Sequence, residues 1–394
     1  MNNISKLFRY AMFGLLYFSQ GAILSYFTAL NSLYLLSFDV TMSQIGLMGT
    51  IALIPFVLKI FLGMLSDRVN LFNLGYRKPY IVFGLLVQAA CLLVVPLINP
   101  GTHFWLFVSL AFLLQTGMAL YDTCTDGLAL DTTPKEEEGT IQGFMVGGRA
   151  LGVVMISAVI GLVAQNSSWS TAFYALAVLS LLPLPLVLLV KESPRPPERK
   201  FEWRAFKAFG KWNIIALSML GALYSLVINA ANQLVNPFLQ SEFGIQVTTA
   251  GFITTVWGIG VVAGGLTGGR LTDSIGQRRS VHWAIGVSIV SIIALSIILS
   301  PVMAWPLVAA FGVAYGYYET VYFAISMKAS DPRIAASMFS ILMAVANIGT
   351  GIGLGVSGVL ADTVGFRWTF VIIGALNLIA VPLLPAIFNM KTDS

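Results

Sequence analysis

Apolar runs recur along the whole of this 394-residue chain, and a short polar segment follows each of them. An α-helix needs about 20 predominantly apolar residues to cross a bilayer, so each run predicts one membrane-spanning helix. The predicted spans lie near residues 9–31, 42–65, 79–99, 103–129, 139–164, 168–190, 213–237, 247–271, 280–299, 302–326, 335–359 and 367–388. The pattern therefore predicts an all-α membrane protein with twelve transmembrane helices.

The longest polar segment, 191–212, separates the first six predicted spans from the last six. It contains two adjacent prolines and seven of the 22 Lys and Arg residues, which is typical of a loop outside the membrane. We therefore predict an N-terminal six-helix bundle over 1–190, a cytoplasmic linker over 191–212 and a C-terminal six-helix bundle over 213–394.

Composition supports the membrane assignment and excludes other classes. Apolar residues make up 57% of the chain and charged residues 10%, with a mean hydropathy of +0.85, whereas soluble proteins carry about 25% charged residues. The basic residues behind the net charge of +5 lie in short loops, so the charge does not indicate nucleic-acid binding. All but three of the 22 Lys and Arg residues fall on one side of the predicted topology. The positive-inside rule therefore predicts cytoplasmic N- and C-termini, in a bacterial inner membrane.

The two halves carry related segments at equivalent places. Residues 38–46 resemble residues 243–251, and residues 63–68 resemble residues 269–274. Internal repeats of six spans predict two bundles related by pseudo-symmetry. In both copies a glycine and an aspartate near the end of a span precede a pair of basic residues.

That motif resembles the loop signature of the major facilitator superfamily of transporters. The resemblance implies a charged gating latch at the cytoplasmic mouth. Its members here would be Asp67, Arg68, Arg77, Lys78, Asp273, Arg278 and Arg279. The alternative is that these charges only fix the topology of the chain.

A second, narrower resemblance covers about 140 residues of the first half. The patterns that carry it are Tyr17-Phe18-x-Gln20-Gly21, Pro55-x3-Lys59-x7-Asp67, Asp122-x3-Asp126 and Gly148-Arg149. They resemble the AmpG-like muropeptide permease and acetyl-CoA transporter group, and folate–biopterin transporters share part of the pattern. The resemblance implies an anionic or amphipathic solute that is muropeptide-like, CoA-ester-like or folate-like, with Gln20 among the site residues.

Charged residues inside predicted spans are the strongest functional signal, because a charge at membrane depth costs several kcal/mol by most scales. With about 1.5 Å of rise per residue, Asp122 and Arg149 reach similar depths, and Lys59 is closest in depth to Asp126. These heights predict the pairs Asp122–Arg149 and Asp126–Lys59. Either pair serves substrate binding and coupling, or it only holds the bundle together.

The second half offers a carboxylate and several amides inside its spans. Glu319 lies in the tenth predicted span with Tyr318 beside it, and Asn229 and Asn232 lie in the seventh. A membrane glutamate suits proton coupling, and the amides line a cavity or hydrogen-bond between helices.

The chain contains no phosphate-binding glycine loop and no Cys or His cluster at metal spacing, so we predict no enzyme activity, no cofactor and no bound metal. The combined prediction is a monomeric secondary active transporter that moves a small solute with H⁺ by alternating access. A multidrug or lipid exporter of the same fold is one alternative. A non-transporting membrane assembly or pigment-handling factor is another.

Overall fold

The computed structural model describes residues 5–71, 75–133, 138–190, 192, 210–329 and 335–388. Within these ranges the regular structure is helical and contains no β-strand. The all-α class predicted from the sequence is confirmed.

The described part of the first half of the chain contains nine α-helical segments. Their bounds are α1 Lys6–Ser25, α2 Asn31–Leu36, α3 Met42–Val57, α4 Lys59–Arg68, α5 Lys78–Val94, α6 Phe104–Thr132, α7 Glu138–Asn166, α8 Trp169–Leu181 and α9 Leu184–Leu189. Proline explains two of the breaks: Pro55 lies just before the break at Leu58, and Pro183 lies between α8 and α9. A proline has no backbone N–H and clashes with the preceding turn, so it kinks or ends a helix. A π-helical turn at Tyr26–Leu30 joins α1 to α2.

The second half of the described chain contains longer helices. Their bounds are α10 Trp212–Phe243, α11 Val247–Ile275, α12 Gln277–Ser296, α13 Pro301–Ala329, α14 Ala335–Val364, α15 Phe366–Leu376 and α16 Leu384–Phe388. A 3₁₀ turn at Asn377–Leu383 links the last two. Gly244 ends α10 with φ +62°, a left-handed conformation that glycine adopts without the steric cost of a β-carbon.

Nine helical stretches of the described chain are long and apolar enough to cross a membrane. The three other predicted spans correspond to α1 with α2, to α3 with α4, and to α13. The first two are interrupted, at the π-helical turn and at Leu58. The third, α13, has 29 residues and carries Glu319. The twelve-span fold is therefore confirmed, and the protein is an integral multi-pass membrane protein.

The chain forms two compact units. The first consists of residues 1–40, 51–197 and 246–255. In it α1 packs along α7, and α6 packs on α4 and α5. Glycine allows the closest approach, because a β-carbon on Gly21 would lie 2.1 Å from the backbone oxygen of Arg149. The backbone at residue 149 is therefore held directly against α1.

The second unit consists of residues 41–50, 198–245 and 256–394. Its α10 packs along α14 as α1 packs along α7, and its α12 packs on α13 and α15. Each unit thus contains the same main helix pair, which is the pseudo-symmetry that the sequence repeats predict.

Each unit also includes a short segment from the other half of the chain. In the second unit Thr50 Oγ1 donates to the carbonyl oxygen of Gly351 at 2.7 Å. In the first unit Thr255 Oγ1 donates to the carbonyl oxygen of Val154, also at 2.7 Å. Both threonines lie near the beginning of a span, at equivalent positions of the repeat. The exchange of segments 41–50 and 246–255 therefore follows the same pattern in both halves.

Candidate substrate and ion-coupling site

A polar cluster lies inside the first unit, on helices that are otherwise apolar. Tyr17 and Gln20 are three residues apart on α1, and Asp122 and Asp126 are four residues apart on α6. These spacings place each pair on one face of its helix. The fifth member, Lys59, is the first residue of α4 after the break at Leu58.

Asp122 is the best-connected member of this cluster. Its Oδ1 accepts a hydrogen bond from Gln20 Nε2 at 2.8 Å, and its Oδ2 lies 3.2 Å from Lys59 Nζ. The side chain of Asp122 is 7% exposed, whereas that of Lys59 is 33% exposed. The carboxylate is thus enclosed and compensated, while its ammonium partner remains accessible.

Asp126 has a different partner. Its Oδ1 accepts a short hydrogen bond from the hydroxyl group of Tyr17. This contact joins α6 to α1.

The structure corrects both predicted ion pairs, because Asp122 pairs with Lys59 and Asp126 bonds to Tyr17. The prediction compared the heights of Cα atoms, whereas helical side chains point toward the N-terminus of their own helix. The long side chain of Lys59 is thereby directed toward the depth of Asp122, and that of Arg149 away from it. Helix packing also favours the pair of Asp122 with Lys59, because α4 contacts α6, whereas α7 lies along α1.

Arg149 is exposed. Its charge lies within electrostatic range of Tyr17, Lys59 and Asp126. Two carboxylates and two cations therefore share this region. Asp122 is buried, Asp126 and Lys59 are half-buried, and Arg149 is the most exposed of the four.

A second polar network lies in the second unit. Asn229 Nδ2 donates to the carbonyl oxygen of Ser225 at 2.8 Å and to Thr350 Oγ1 at 3.2 Å. The hydroxyl group of Tyr315 donates to Asn229 Oδ1 at 3.0 Å, and the ring of Tyr315 packs edge-on against Trp257 at 5.2 Å. Asn229 thus connects α10 with α13 and α14. Its contacts agree with the interhelical alternative for the amides.

The other residues predicted for this half lie close to that network along the chain. Glu319 is half-buried and one turn beyond Tyr315 on α13, and Asn232 is half-buried on α10. Tyr318 is fully buried, and its ring packs at 5.3 Å on that of Tyr224. In this structure Tyr318 is therefore a core residue, and Tyr315 is the tyrosine that joins the polar network.

The predicted gating latch is described only in part. The side chains of Asp67, Arg68 and Asp273 lie outside the described residues, and Arg278 and Arg279 are exposed. The two remaining members lie within the first unit. Arg77 is buried and donates from Nη1 to Ser66 Oγ at 2.5 Å, while Lys78 Nζ donates to the backbone oxygens of Leu188 and Val190.

Sequence reasoning missed the groups that hold this loop in place. The carboxylate of Glu192 accepts hydrogen bonds from the backbone N–H groups of Tyr76, Arg77 and Lys78 at the beginning of α5. A carboxylate at a helix N-terminus satisfies free N–H groups and is stabilised by the helix dipole. Nothing in the sequence signals this cap, because its partners are more than a hundred residues away. Asp131, 3.5 Å from Arg77 Nε, was also missed, because the two residues belong to different helical segments and their contact is not visible in the sequence.

No cluster of three or more His, Cys, Asp or Glu side chains suited to a metal ion occurs in the described part of the chain. Cys91 and Cys124 are buried and form no disulfide with each other.

Bundles of apolar helices with charged side chains inside the spans are typical of multi-pass membrane transporters. The family model of the Major Facilitator Superfamily matches residues 12–231 and 217–392. The chain belongs to this superfamily.

Individual relatives are distant. The sialic acid transporter NanX of Escherichia coli is 24% identical over 253 residues, which cover 61% of this chain and 58% of the relative. A Rickettsia conorii protein named AmpG 1 is 22% identical over 385 residues, covering 90% of this chain and 91% of that protein. The nucleoside transporter NupG has a similar structure with a TM-score of 0.79 at 16% identity, covering 99% of this chain and all of that one. The resemblance predicted from the first-half motifs is confirmed.

Proposed function

We propose that this protein is a proton-coupled secondary active transporter that moves an anionic or amphipathic small solute by alternating access. It would act in a bacterial inner membrane, with both termini in the cytoplasm. The observation that carries the proposal is the unequal exposure of the charges in the first unit. Asp122 is enclosed, while Arg149 and Lys59 remain accessible, so an anionic group is the ligand that the cluster would attract.

The residues divide into binding and compensating groups. Arg149 would bind the anionic group of the solute, since a guanidinium pairs with carboxylates and phosphates through two parallel hydrogen bonds. Lys59 would exchange between Asp122 and the solute. A buried carboxylate that loses its ammonium partner is left uncompensated, and binding a proton relieves that cost. Solute and proton would then enter the site together.

The names of relatives support this class of solute. NanX is named for sialic acid, and the AmpG group is the one that the first-half motifs resemble. The proposed solute is accordingly a carboxylate or phosphate compound of the muropeptide, CoA-ester, folate or acidic-sugar type.

A ligand panel tests the proposal directly. Purified protein would be unfolded thermally with anhydro-muropeptides, CoA esters, folates, sialic acid, neutral sugars and cationic drugs. A ligand present at 100 times its dissociation constant adds about 2.7 kcal/mol to the stability of the folded state. We expect stabilisation by one anionic class only. Stabilisation by apolar cations alone would contradict the proposal and favour the multidrug exporter.

Glu319 is the proposed proton carrier of the second unit, and Glu319→Gln tests this role. A glutamine retains the shape but cannot release a proton, so exchange of solute across proteoliposomes should continue while accumulation driven by a pH gradient falls to about the equilibrium ratio. Glu242→Gln is the matched control, because Glu242 lies at the end of α10 and forms an exposed ion pair with Arg367. Full accumulation by Glu319→Gln would exclude Glu319 as the proton carrier.

A further inference from the structure

A groove runs along the outer face of α12 and α13 in the second unit. Its lining residues on α12 are Arg278, Arg279, His282, Trp283, Gly286, Val287, Val290, Ser291 and Ala294, and those on α13 are Leu307 and Ala310. The exposed α12 residues recur every three or four positions, so they form one continuous stripe along the helix. Apart from Arg278 and Arg279, which were predicted as members of the gating latch, none of its lining residues belongs to the polar clusters around Asp122 and Asn229.

The groove is large and mostly apolar. Its volume is about 1080 Å³, and small residues on both helices make it concave. A β-carbon on Gly286 would meet no other atom within 4 Å, which shows how open the middle of the groove is. From Arg279 to Val290 the helix rises about 16 Å, which is close to half of the roughly 30 Å hydrocarbon core of a bilayer. The groove therefore has the length of one leaflet.

One end of the groove carries positive charge. Arg278 and Arg279 are exposed at the beginning of α12, and among the side chains that the structure describes no carboxylate lies within 4 Å of either. His282 lies one turn further, with Nδ1 donating to the carbonyl oxygen of Arg278 at 2.6 Å, so its Nε2 is directed away from the backbone. Trp283, 63% exposed, is a residue type enriched where lipid head groups begin.

The mouth of the groove is held in place by the protein. Gln277 Nε2 donates to the carbonyl oxygen of Ala324 at 3.0 Å and so ties the beginning of α12 to α13. A fixed, basic mouth followed by an apolar channel of leaflet depth matches a molecule with an anionic head and an acyl chain. Neither a soluble anion nor an apolar chain alone matches both parts.

We propose that this groove binds one anionic phospholipid of the cytoplasmic leaflet. Arg278 and Arg279 bind the phosphate group, and an acyl chain lies along Gly286, Val290 and Ala310. Basic pockets between membrane helices on the cytoplasmic side bind anionic head groups by this chemistry. The groove lies outside the proposed solute site, although Arg278 and Arg279 are also members of the predicted gating latch, and its assignment to the cytoplasmic leaflet rests on the orientation given with the proposed function.

Lipid titration of the detergent-purified chain, read by native mass spectrometry, tests the site. The probes are dioleoylphosphatidylglycerol and, as the zwitterionic comparison, dioleoylphosphatidylcholine. For wild type we expect one tightly bound phosphatidylglycerol and much weaker phosphatidylcholine binding. Arg278→Gln combined with Arg279→Gln should weaken phosphatidylglycerol binding about 30-fold, which corresponds to about 2 kcal/mol.

Two further variants separate the parts of the site. Gly286→Leu should narrow the middle of the groove, where the acyl chain is proposed to lie, and weaken binding about 10-fold while leaving both arginines in place. Lys211→Gln combined with Lys328→Gln removes the same net charge from exposed positions outside the groove, and it should leave the affinity unchanged. The unfolding temperature without added lipid shows that each variant is folded.

Three results would overturn the proposal. Equal binding of both lipids by wild type would exclude recognition of the anionic head. An equal loss of phosphatidylglycerol affinity in the Lys211→Gln and Lys328→Gln control would show that the effect comes from net charge alone. Unchanged binding by Gly286→Leu would show that the lipid lies elsewhere.

Discussion

Lys59→Met is expected to abolish transport and to lower the free energy of unfolding by about 2 kcal/mol. The substitution leaves the buried carboxylate of Asp122 with Gln20 as its remaining described partner. Breaking a fully buried pair typically costs about 3–5 kcal/mol, and the value here is lower because Lys59 is partly exposed and its charge is partly screened. Thermal unfolding of the purified variant measures the stability, and uptake into proteoliposomes measures the transport.

A double variant separates a structural pair from a functional one. Adding Asp122→Asn to Lys59→Met removes both charges, so most of the lost stability should return. Transport should not return, because the accessible cation and the compensating carboxylate are both gone. A double variant that transports normally would show that the pair only holds the bundle together, which is the alternative that the sequence leaves open.

Arg149→Ala should remove about half or more of the stabilising effect of the anionic ligand while leaving the ligand-free protein as stable as wild type. Its side chain is exposed, and exposed substitutions usually change stability by less than about 0.5 kcal/mol. A hydrogen bond to a charged group contributes about 1.5–3 kcal/mol, so ligand affinity should fall roughly 10- to 100-fold. The measurement is the ligand-dependent unfolding temperature, followed by uptake of the same solute.

Two comparisons make the Arg149 result specific. Arg149→Lys retains the positive charge but not the planar guanidinium group, which can form two parallel hydrogen bonds. It should therefore recover part of the ligand affinity. Lys211→Ala removes an exposed positive charge outside the cluster and should change nothing. If Arg149→Ala binds the anionic ligand as tightly as wild type, Arg149 is not the binding residue.

The fold could be predicted because a membrane-spanning helix is recognised from the local composition of the sequence. Each run of about 20 apolar residues predicts one helix without knowledge of any partner. Boundaries are harder to predict where a span is interrupted, as at Leu58 and at the π-helical turn Tyr26–Leu30. Pro55 contributes to the interruption at Leu58, and it can be read from the sequence. The π-helical turn has no such local signal.

The members of the site could be predicted, but their pairing could not. Charge inside a span singles out Lys59, Asp122 and Asp126 from sequence alone. Which of them meet depends on side-chain direction and on the helices that touch, and helix contacts are not visible in one sequence. The bond from Tyr17 to Asp126 illustrates this limit, since 109 residues separate the two.

The sequence shows the glycines of α1 and α7 as part of a motif but does not show their role in packing. Their role becomes clear once Gly21 is seen against the backbone of Arg149. That contact fixes the main chain at residue 149 and leaves its side chain accessible. Sequence alone gives no measure of such an approach, because it depends on the distance between two helices.

Because segments 41–50 and 246–255 are exchanged, neither half of the chain contains all the residues of one compact unit. A fragment that stops in the 191–212 segment would lack the ten residues that contribute Thr255 to the first unit, and the remaining fragment would lack those that contribute Thr50 to the second. Each unit is thus completed by ten residues that belong, along the chain, to the other half, so the two halves are expected to fold together rather than as separate fragments.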